Sequence, residues 1–108
     1  MKLEYASQFK IDMMKTIDYI KYNLGNEIAS NNLIDEVERK IIERAELQVI
    51  YTSYMTRKRY KYYKLRVRNY IIFYTVEDEV MKVRRFLYNR RDFEKIDIMS
   101  WNLRKLYL

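Results

Sequence analysis

The spacing of apolar residues changes once along the chain, and this change limits the folds open to it. Between residues 9 and 45 apolar residues recur every three or four positions, as on one side of a helix. Between residues 60 and 88 they alternate with polar residues or run continuously, as in β-strands. One change from helices to consecutive strands favours an α+β layer, with helices packed on one face of an antiparallel sheet.

Two amphipathic helices are predicted, and they meet near Gly25, the only glycine of the chain. The first helix, of about four to five turns, has Ser7 as its expected N-cap and ends at Gly25. The second helix, of similar length, is expected to be capped by Asn26. Each helix carries one stripe of apolar residues, and both stripes are interpreted as part of the hydrophobic core. The short break at Gly25 makes the two helices an antiparallel hairpin. Their members are Phe9, Met13, Ile17, Ile20, Leu24, Ile28, Ile34, Val37, Ile41 and Ala45.

The remaining pattern predicts strands and a final helix. Residues 2–6 alternate as in a short N-terminal strand, and residues 60–68, 70–76 and 80–88 form a three-stranded antiparallel meander. Residues 70–76 are apolar on both faces, as in a central strand. Residues 92–108 carry Phe93, Ile96, Met99, Leu103 and Leu106 at helical spacing, which predicts a short C-terminal helix. The whole chain, residues 1–108, is expected to be one domain.

The composition excludes several kinds of chemistry. The chain has no cysteine and no histidine, so disulfides, zinc fingers and histidine-dependent triads are ruled out. No acidic cluster suggests a metal site, and no cofactor is expected. The N-terminus lacks the apolar region of a signal peptide, and the longest uncharged run, residues 47–56, is too short to span a membrane. We therefore expect a cytoplasmic protein without a membrane association.

Positive charge is concentrated in the second half of the chain. Residues 1–50 contain seven basic and nine acidic side chains, whereas residues 51–108 contain fifteen basic and six acidic ones. The first half therefore carries a net charge of −2 and the second half +9. This asymmetry favours an anionic partner, which is RNA, DNA or an acidic protein segment.

The densest basic segment is residues 57–68, with seven basic residues, three tyrosines and no acid. Cations neutralise phosphates and interleaved aromatic rings stack on unpaired bases, so this pattern is typical of nucleic-acid binding. Strand alternation places Lys64, Arg66 and Arg68 together on the open face of the sheet. The predicted nucleic-acid-binding residues are Arg57, Lys58, Arg59, Lys61, Tyr62, Arg68, Arg84 and Arg91.

Arg85 occupies an inward register between Val83 and Leu87. The favoured interpretation is a snorkelling side chain or a strand with both faces covered. The alternative is a guanidinium positioned in a concave site.

Three segments together resemble the RelE/ParE superfamily, also known as plasmid-stabilisation toxins. Residues 63–76, YKLRVRNYIIFYTV, are similar to the family's basic strand followed by its "Tyr-x-x-x-Tyr-x-Val" strand. Residues 83–87 and then 88–92, YNRRD, are similar to its last apolar strand and the "Arg-Arg-Asp" ending. The resemblance spans residues 2–96 and implies the toxin of a type II toxin–antitoxin system, silenced by a cognate antitoxin.

The resemblance implies one of two activities. RelE-like members are metal-independent endoribonucleases that cleave mRNA on the ribosome and so block translation. By this resemblance Lys64, Arg66 and Arg90 would hold the scissile phosphate, and Tyr88 or Tyr62 would accept a proton. ParE-like members inhibit DNA gyrase without enzymatic activity. Ile71 and Phe93 stand where RelE-like toxins often place an arginine and a proton-transferring residue, which keeps the ParE-like activity open.

From the sequence the mRNA endonuclease is the leading hypothesis and the gyrase inhibitor the second. A plain RNA-binding module without toxicity is the third.

Overall fold

The computed structural model describes residues 1–47, 55–57 and 60–89, with only the backbone described at 55–57 and 60. The described part begins with strand β1 and two helical segments, β1 (Lys2–Tyr5), α1 (Ser7–Asp18) and α2 (Glu27–Leu47). Four strands follow, β2 (Met55–Arg57), β3 (Tyr60–Val67), β4 (Tyr70–Glu77) and β5 (Val80–Tyr88). This order confirms the predicted α+β arrangement of strand, helix hairpin and antiparallel meander.

The described strands form one sheet in the order β1-β5-β4-β3-β2. Strands β2 to β5 pair antiparallel, and β1 pairs parallel with β5 from Lys2 opposite Val80 to Tyr5 opposite Val83. The sequence did not predict β2, which has only three residues and extends the meander by one strand. Nor did it assign β1 its place at the edge, since a strand's partner depends on contacts far along the chain.

The start of α1 differs from the prediction at Ser7. Ala6 is the N-cap, with an extended backbone, and no side chain caps the helix. Ser7 is therefore the first helical residue rather than the cap. Because Ala6 also donates its amide to the carbonyl of Val83 at 2.8 Å, the pairing of β1 with β5 fixes where the chain leaves the sheet.

The end of α1 widens into a π-helical turn, Tyr19–Asn23, closed by a hydrogen bond from the Leu24 amide to the Tyr19 carbonyl at 3.1 Å. This turn shifts the later side chains around the helix axis. Leu24, Ile28 and Ile34 are exposed, so the prediction that these three belong to the core is wrong. Gly25 follows with a φ of +62°, which confirms a left-handed residue at the helix end.

The α2 helix begins as predicted but is longer. The side chain of Asn26 accepts a hydrogen bond from the Ala29 amide at 2.9 Å, which confirms Asn26 as the cap. The helix extends over 21 residues, nearly six turns, and its buried side is formed by Ser30, Leu33, Val37, Ile41 and Ala45.

The main core lies between the helices and one face of the sheet. Phe9 of α1 and the buried side of α2 pack on Leu65, Val67, Ile72, Tyr74, Met81, Val83 and Phe86. We call this the helix-covered face. Strand β4 is also buried on its other side, at Ile71, Phe73 and Thr75, which confirms the prediction of a central strand covered on both faces.

The predicted C-terminal helix, residues 92–108, lies outside the described residues and remains a prediction. Among the described residues, no helix is long and apolar enough to cross a membrane.

Candidate functional site

Lys64 and Arg66 lie on the sheet face turned away from the helices. In the register of β3 and β4, Lys64 is opposite Phe73 and Arg66 is opposite Ile71. Opposed residues of neighbouring strands share a face, and neither Phe73 nor Ile71 belongs to the core under the helices. Both cations are exposed. We call this side of the sheet the second face, defined by Tyr62, Lys64, Arg66, Ile71, Phe73, Thr75, Lys82 and Arg84.

Strand β5 supplies the other cations of the second face. Lys82 is opposite Thr75. The register then shifts, from Tyr74 opposite Val83 to Phe73 opposite Arg85, so that Arg84 is an extra residue in a β-bulge. Arg84 donates from Nε to the hydroxyl of Thr75 at 3.1 Å, which places it on the second face. The cations of β3 and β5 are thus two strand spacings apart, about 10 Å.

Ile71 and Phe73 of the central strand β4 lie between these cations, and together with Tyr62 of β3 they form an apolar floor. Tyr62 is 2% exposed, Ile71 6% and Phe73 0%. The second face is therefore not the open surface predicted from the sequence. Its cations flank a strip of side chains that solvent does not reach. Tyr62, predicted to bind nucleic acid, is buried in this strip.

Arg68 does not join the second face. It lies in the β3–β4 turn with a φ of +54°, and its Nε lies 2.6 Å from a carboxylate oxygen of Glu36 on α2. Its charge is offset by an acid of the helix layer, so the predicted grouping with Lys64 and Arg66 is wrong. Arg66 contacts this turn by donating from Nε to the Arg68 carbonyl at 3.2 Å.

Lys61 also lies apart from Lys64. Alternation along β3 places Lys61 on the same side as Leu65 and Val67, that is, on the helix-covered face. It is exposed there, so it adds positive charge to a different surface.

Tyr88, the first candidate proton acceptor, is on the side of the sheet opposite Lys64 and Arg66. It is paired with Tyr70, whose ring stacks on Phe86 of the core at 4.7 Å between centroids. The Tyr88 ring meets that of Tyr70 edge-on at 5.7 Å and is 55% exposed. Burial, and then the neighbouring Tyr88, raises the pKa of Tyr70 above its usual value, with Arg68 acting in the opposite direction.

Arg85 is held by Asp12, a residue that sequence reasoning did not select. Arg85 donates from Nε and Nη2 to the Asp12 carboxylate at 2.7 and 3.1 Å. The same carboxylate accepts the Phe86 amide at 3.0 Å and the side-chain amide of Gln8 at 3.0 Å. Both members of the pair are buried. Arg85 is therefore part of an ion pair that joins α1 to β5, rather than a snorkelling or substrate-binding side chain.

The end of the second face near the β4–β5 turn is less basic than the end near Lys64 and Arg66. An open cleft of about 260 Å³ lies at this end, and it is lined by Glu4, Thr75, Glu77, Asp78, Val80, Lys82 and Arg84. Its three carboxylates offset the two cations. The excess of positive charge on the second face therefore lies toward Lys64 and Arg66. In the described ranges no group of three or more acidic side chains is placed to hold a metal ion.

Several predicted site residues fall outside the described part of the chain: Lys58, Arg59, Arg90 and Arg91. For Arg57 only the backbone is described, in β2 opposite Tyr60. Their roles remain predictions.

The described fold and the cations on its second face define a small basic α+β domain, with two helices on one side of the sheet and an apolar strip between basic strands on the other. The chain belongs to the ParE toxins of the type II toxin–antitoxin system parDE, whose family model matches residues 3–93. No curated protein matches the chain. The predicted relationship to the RelE/ParE superfamily is confirmed, and with it the toxin of a type II system that has a cognate antitoxin.

Proposed function

We propose that this toxin inhibits DNA gyrase without cleaving RNA, and that it acts in the cytoplasm until its cognate antitoxin neutralises it. The observation that carries this proposal is the separation of Tyr88 from Lys64 and Arg66 by the thickness of the sheet. This reverses the order of preference drawn from the sequence, in which mRNA cleavage came first.

Cleavage of RNA without a metal needs a proton acceptor and cations around one phosphate. An acceptor works within hydrogen-bond reach of the proton that it removes. Tyr88 lies on the side of the helix-covered face, and Tyr62, although on the second face, is buried. Among the described tyrosines, Tyr70 has its pKa raised, which is the direction opposite to that required of a base near neutral pH.

Inhibition by binding requires only a complementary surface. Lys64 and Arg66 are exposed on the same side of one strand, about 7 Å apart along it. Such a pair attracts an acidic patch of a protein or the backbone of bound DNA and speeds the encounter with it. Membership in the ParE family favours gyrase as the target, since ParE-like toxins act on gyrase.

Two assays on one purified preparation test the proposal. The protein is titrated into a supercoiling reaction containing gyrase, and separately into ribosomes programmed with a defined message. We expect supercoiling to fall with toxin concentration while the message stays intact. Cleavage of the message without loss of supercoiling would overturn the proposal. Addition of the cognate antitoxin should restore supercoiling and serves as the control for specific action.

The second candidate is a ribosome-dependent mRNA endonuclease that blocks translation. The exposed pair Lys64 and Arg66 favours it, because two cations at this spacing suit a phosphate in the transition state. In this alternative Arg90 completes the phosphate site, and the proton acceptor is a residue other than Tyr88, which lies on the other side of the sheet from Lys64 and Arg66. A plain RNA-binding module is the third candidate, and normal growth of bacteria that strongly express the gene would support it.

A further inference from the structure

Strand β1 forms one edge of the described sheet, and part of its backbone points away from the sheet. The amides of Lys2 and Ala6 donate to carbonyls on the β5 side, at 2.9 and 2.8 Å. Because successive amides of a strand point to opposite sides, those of Leu3 and Tyr5 point outward. Neither of them has a hydrogen-bond acceptor among the described residues. The outer edge of β1 is therefore open to a further strand.

This edge carries one positive and one negative side chain on the same face. Lys2 and Glu4 are two residues apart, so both lie on the second face, where Glu4 is opposite Lys82. Both are exposed. Within the described part of the chain neither forms an ion pair. A lysine on an edge strand ordinarily opposes the addition of another strand, but here the nearby glutamate offers that lysine a partner of opposite charge.

The charges of β1 are complementary to those of a second, antiparallel β1. When two copies pair about a two-fold axis at Leu3, Lys2 lies opposite Glu4 of the second copy, and Glu4 lies opposite Lys2 of that copy. A shift of the register by two residues brings either Glu4 opposite Glu4 or Lys2 opposite Lys2, and like charges directly opposite each other are destabilising. The charge pattern therefore selects the register centred on Leu3. On the helix-covered face this register also brings the two Leu3 side chains together.

We propose that the toxin forms a symmetric dimer in which β1 pairs antiparallel with β1 of a second copy. The outward amide and carbonyl of Leu3 bond to those of Leu3 in the second copy, and a Lys2–Glu4 pair lies on each side of them. The two five-stranded sheets become one continuous sheet, and neither copy keeps an open β1 edge. The dimer presents the second face twice, so a target with two equivalent sites is bound with higher avidity. This inference does not depend on whether gyrase or the ribosome is the target.

Charge reversal tests the pairing in the full-length toxin freed from its antitoxin. Lys2→Glu and Glu4→Lys each place like charges in both cross-strand pairs. The dimer dissociation constant, measured by sedimentation velocity, should therefore rise by about tenfold or more in each variant. An equimolar mixture of the two variants restores both pairs of opposite charge, so it should form heterodimers with the wild-type affinity. Lys10→Glu, at an exposed position of α1, is the matched control and should dimerise as the wild type does.

Cysteine cross-linking tests the register, because the chain has no native cysteine. In the proposed dimer the Cα of residue 2 lies about 4.5 Å from that of residue 4 in the second copy, but roughly 8 Å from that of residue 2. A disulfide joins Cα atoms less than about 7 Å apart. A mixture of Lys2→Cys and Glu4→Cys chains should therefore form a disulfide-linked dimer on mild oxidation, whereas neither variant alone should.

Three results would overturn the inference. The first is a wild-type toxin that stays monomeric, including one whose β1 edge is covered only when the antitoxin is added. The second is a dimer that both charge reversals leave intact while circular dichroism shows the variants to be folded. The third is equal cross-linking in the mixture and in the two separate cysteine variants, which would contradict the antiparallel register.

Discussion

The carboxylate of Asp12 on α1 receives two hydrogen bonds from the guanidinium of Arg85 on β5, at 2.7 and 3.1 Å, and a third from the amide of Phe86. This amide lies just beyond the point where β1 stops pairing with β5. Asp12 therefore continues the hydrogen bonding of an edge that β1 leaves uncovered. The pair also lies next to the bulge at Arg84, so it fixes the backbone that carries one cation of the second face.

Removal of one partner of this buried pair should be strongly destabilising. Asp12→Ala leaves the Arg85 charge buried and the Phe86 amide without its acceptor, which we expect to lower the free energy of unfolding by about 3–5 kcal/mol. Urea denaturation followed by circular dichroism measures the change. The control is Glu43→Ala, which breaks the exposed pair with Arg39 and should cost no more than about 0.5 kcal/mol. Equal effects of the two substitutions would show that the buried pair is not a major link.

The double variant Asp12→Leu/Arg85→Met should be more stable than Asp12→Ala. It removes both charges together, and a buried ion pair is often replaced by apolar residues at little net cost. The same urea titration measures this. A double variant less stable than the single one would mean that the Asp12 contacts with the backbone matter more than its pairing with Arg85.

The cap of α2 gives a prediction independent of the sheet. Asn26→Ala removes the acceptor of the Ala29 amide and should lower stability by about 1 kcal/mol. Asn32→Ala, at an exposed position inside the same helix, should leave stability unchanged or raise it slightly, since alanine is the better helix former. Thermal unfolding distinguishes them, and a similar loss in both variants would contradict the assignment of Asn26 as the cap.

Tyr70 should make stability fall at alkaline pH. Its pKa in the folded protein is raised, by burial first and by Tyr88 second, so the unfolded chain loses this phenol proton more readily. The contribution of Tyr70 is fully present below its unfolded pKa of about 10 and is lost as the pH rises through the folded pKa. The free energy of unfolding of Tyr70→Phe should therefore decline less steeply above pH ~10 than that of the wild type. Parallel declines would contradict this. Some decline remains in the variant, because burial and Glu38 also raise the pKa of Tyr5.

Much of the fold was predictable because it rests on local pattern. The meander strands and the cap at Asn26 follow from alternation and turn chemistry, and they were predicted to within one residue or two. The π-helical turn was not, because the spacing of Ile17, Ile20 and Leu24 suits a regular helix as well. Exposure of Leu24, the residue after that turn, follows from it.

The candidate site was predicted only in part, because the sequence gives the sign of each charge but not which charged side chains lie close together in the fold. Lys64 and Arg66 share a face as alternation requires, whereas Arg68 leaves the strand and reaches Glu36, 32 positions earlier in the chain. The sequence did contain one indication of the role of Asp12, because it is an acidic residue within the apolar stripe of α1, between Phe9 and Met13. Together with an arginine in an inward register, such a residue indicates a buried pair.

We propose that Lys64 and Arg66 form the surface through which the toxin inhibits gyrase, and a titration of supercoiling activity tests this role most directly. The concentration that halves supercoiling is measured for the wild type, for Lys64→Glu/Arg66→Glu and for Lys10→Glu, an exposed cation on α1. Charge reversal on the second face should raise this concentration by roughly tenfold or more, a loss of about 1.4 kcal/mol in binding, while Lys10→Glu behaves as the wild type. Equal potency of all three folded proteins would contradict the account.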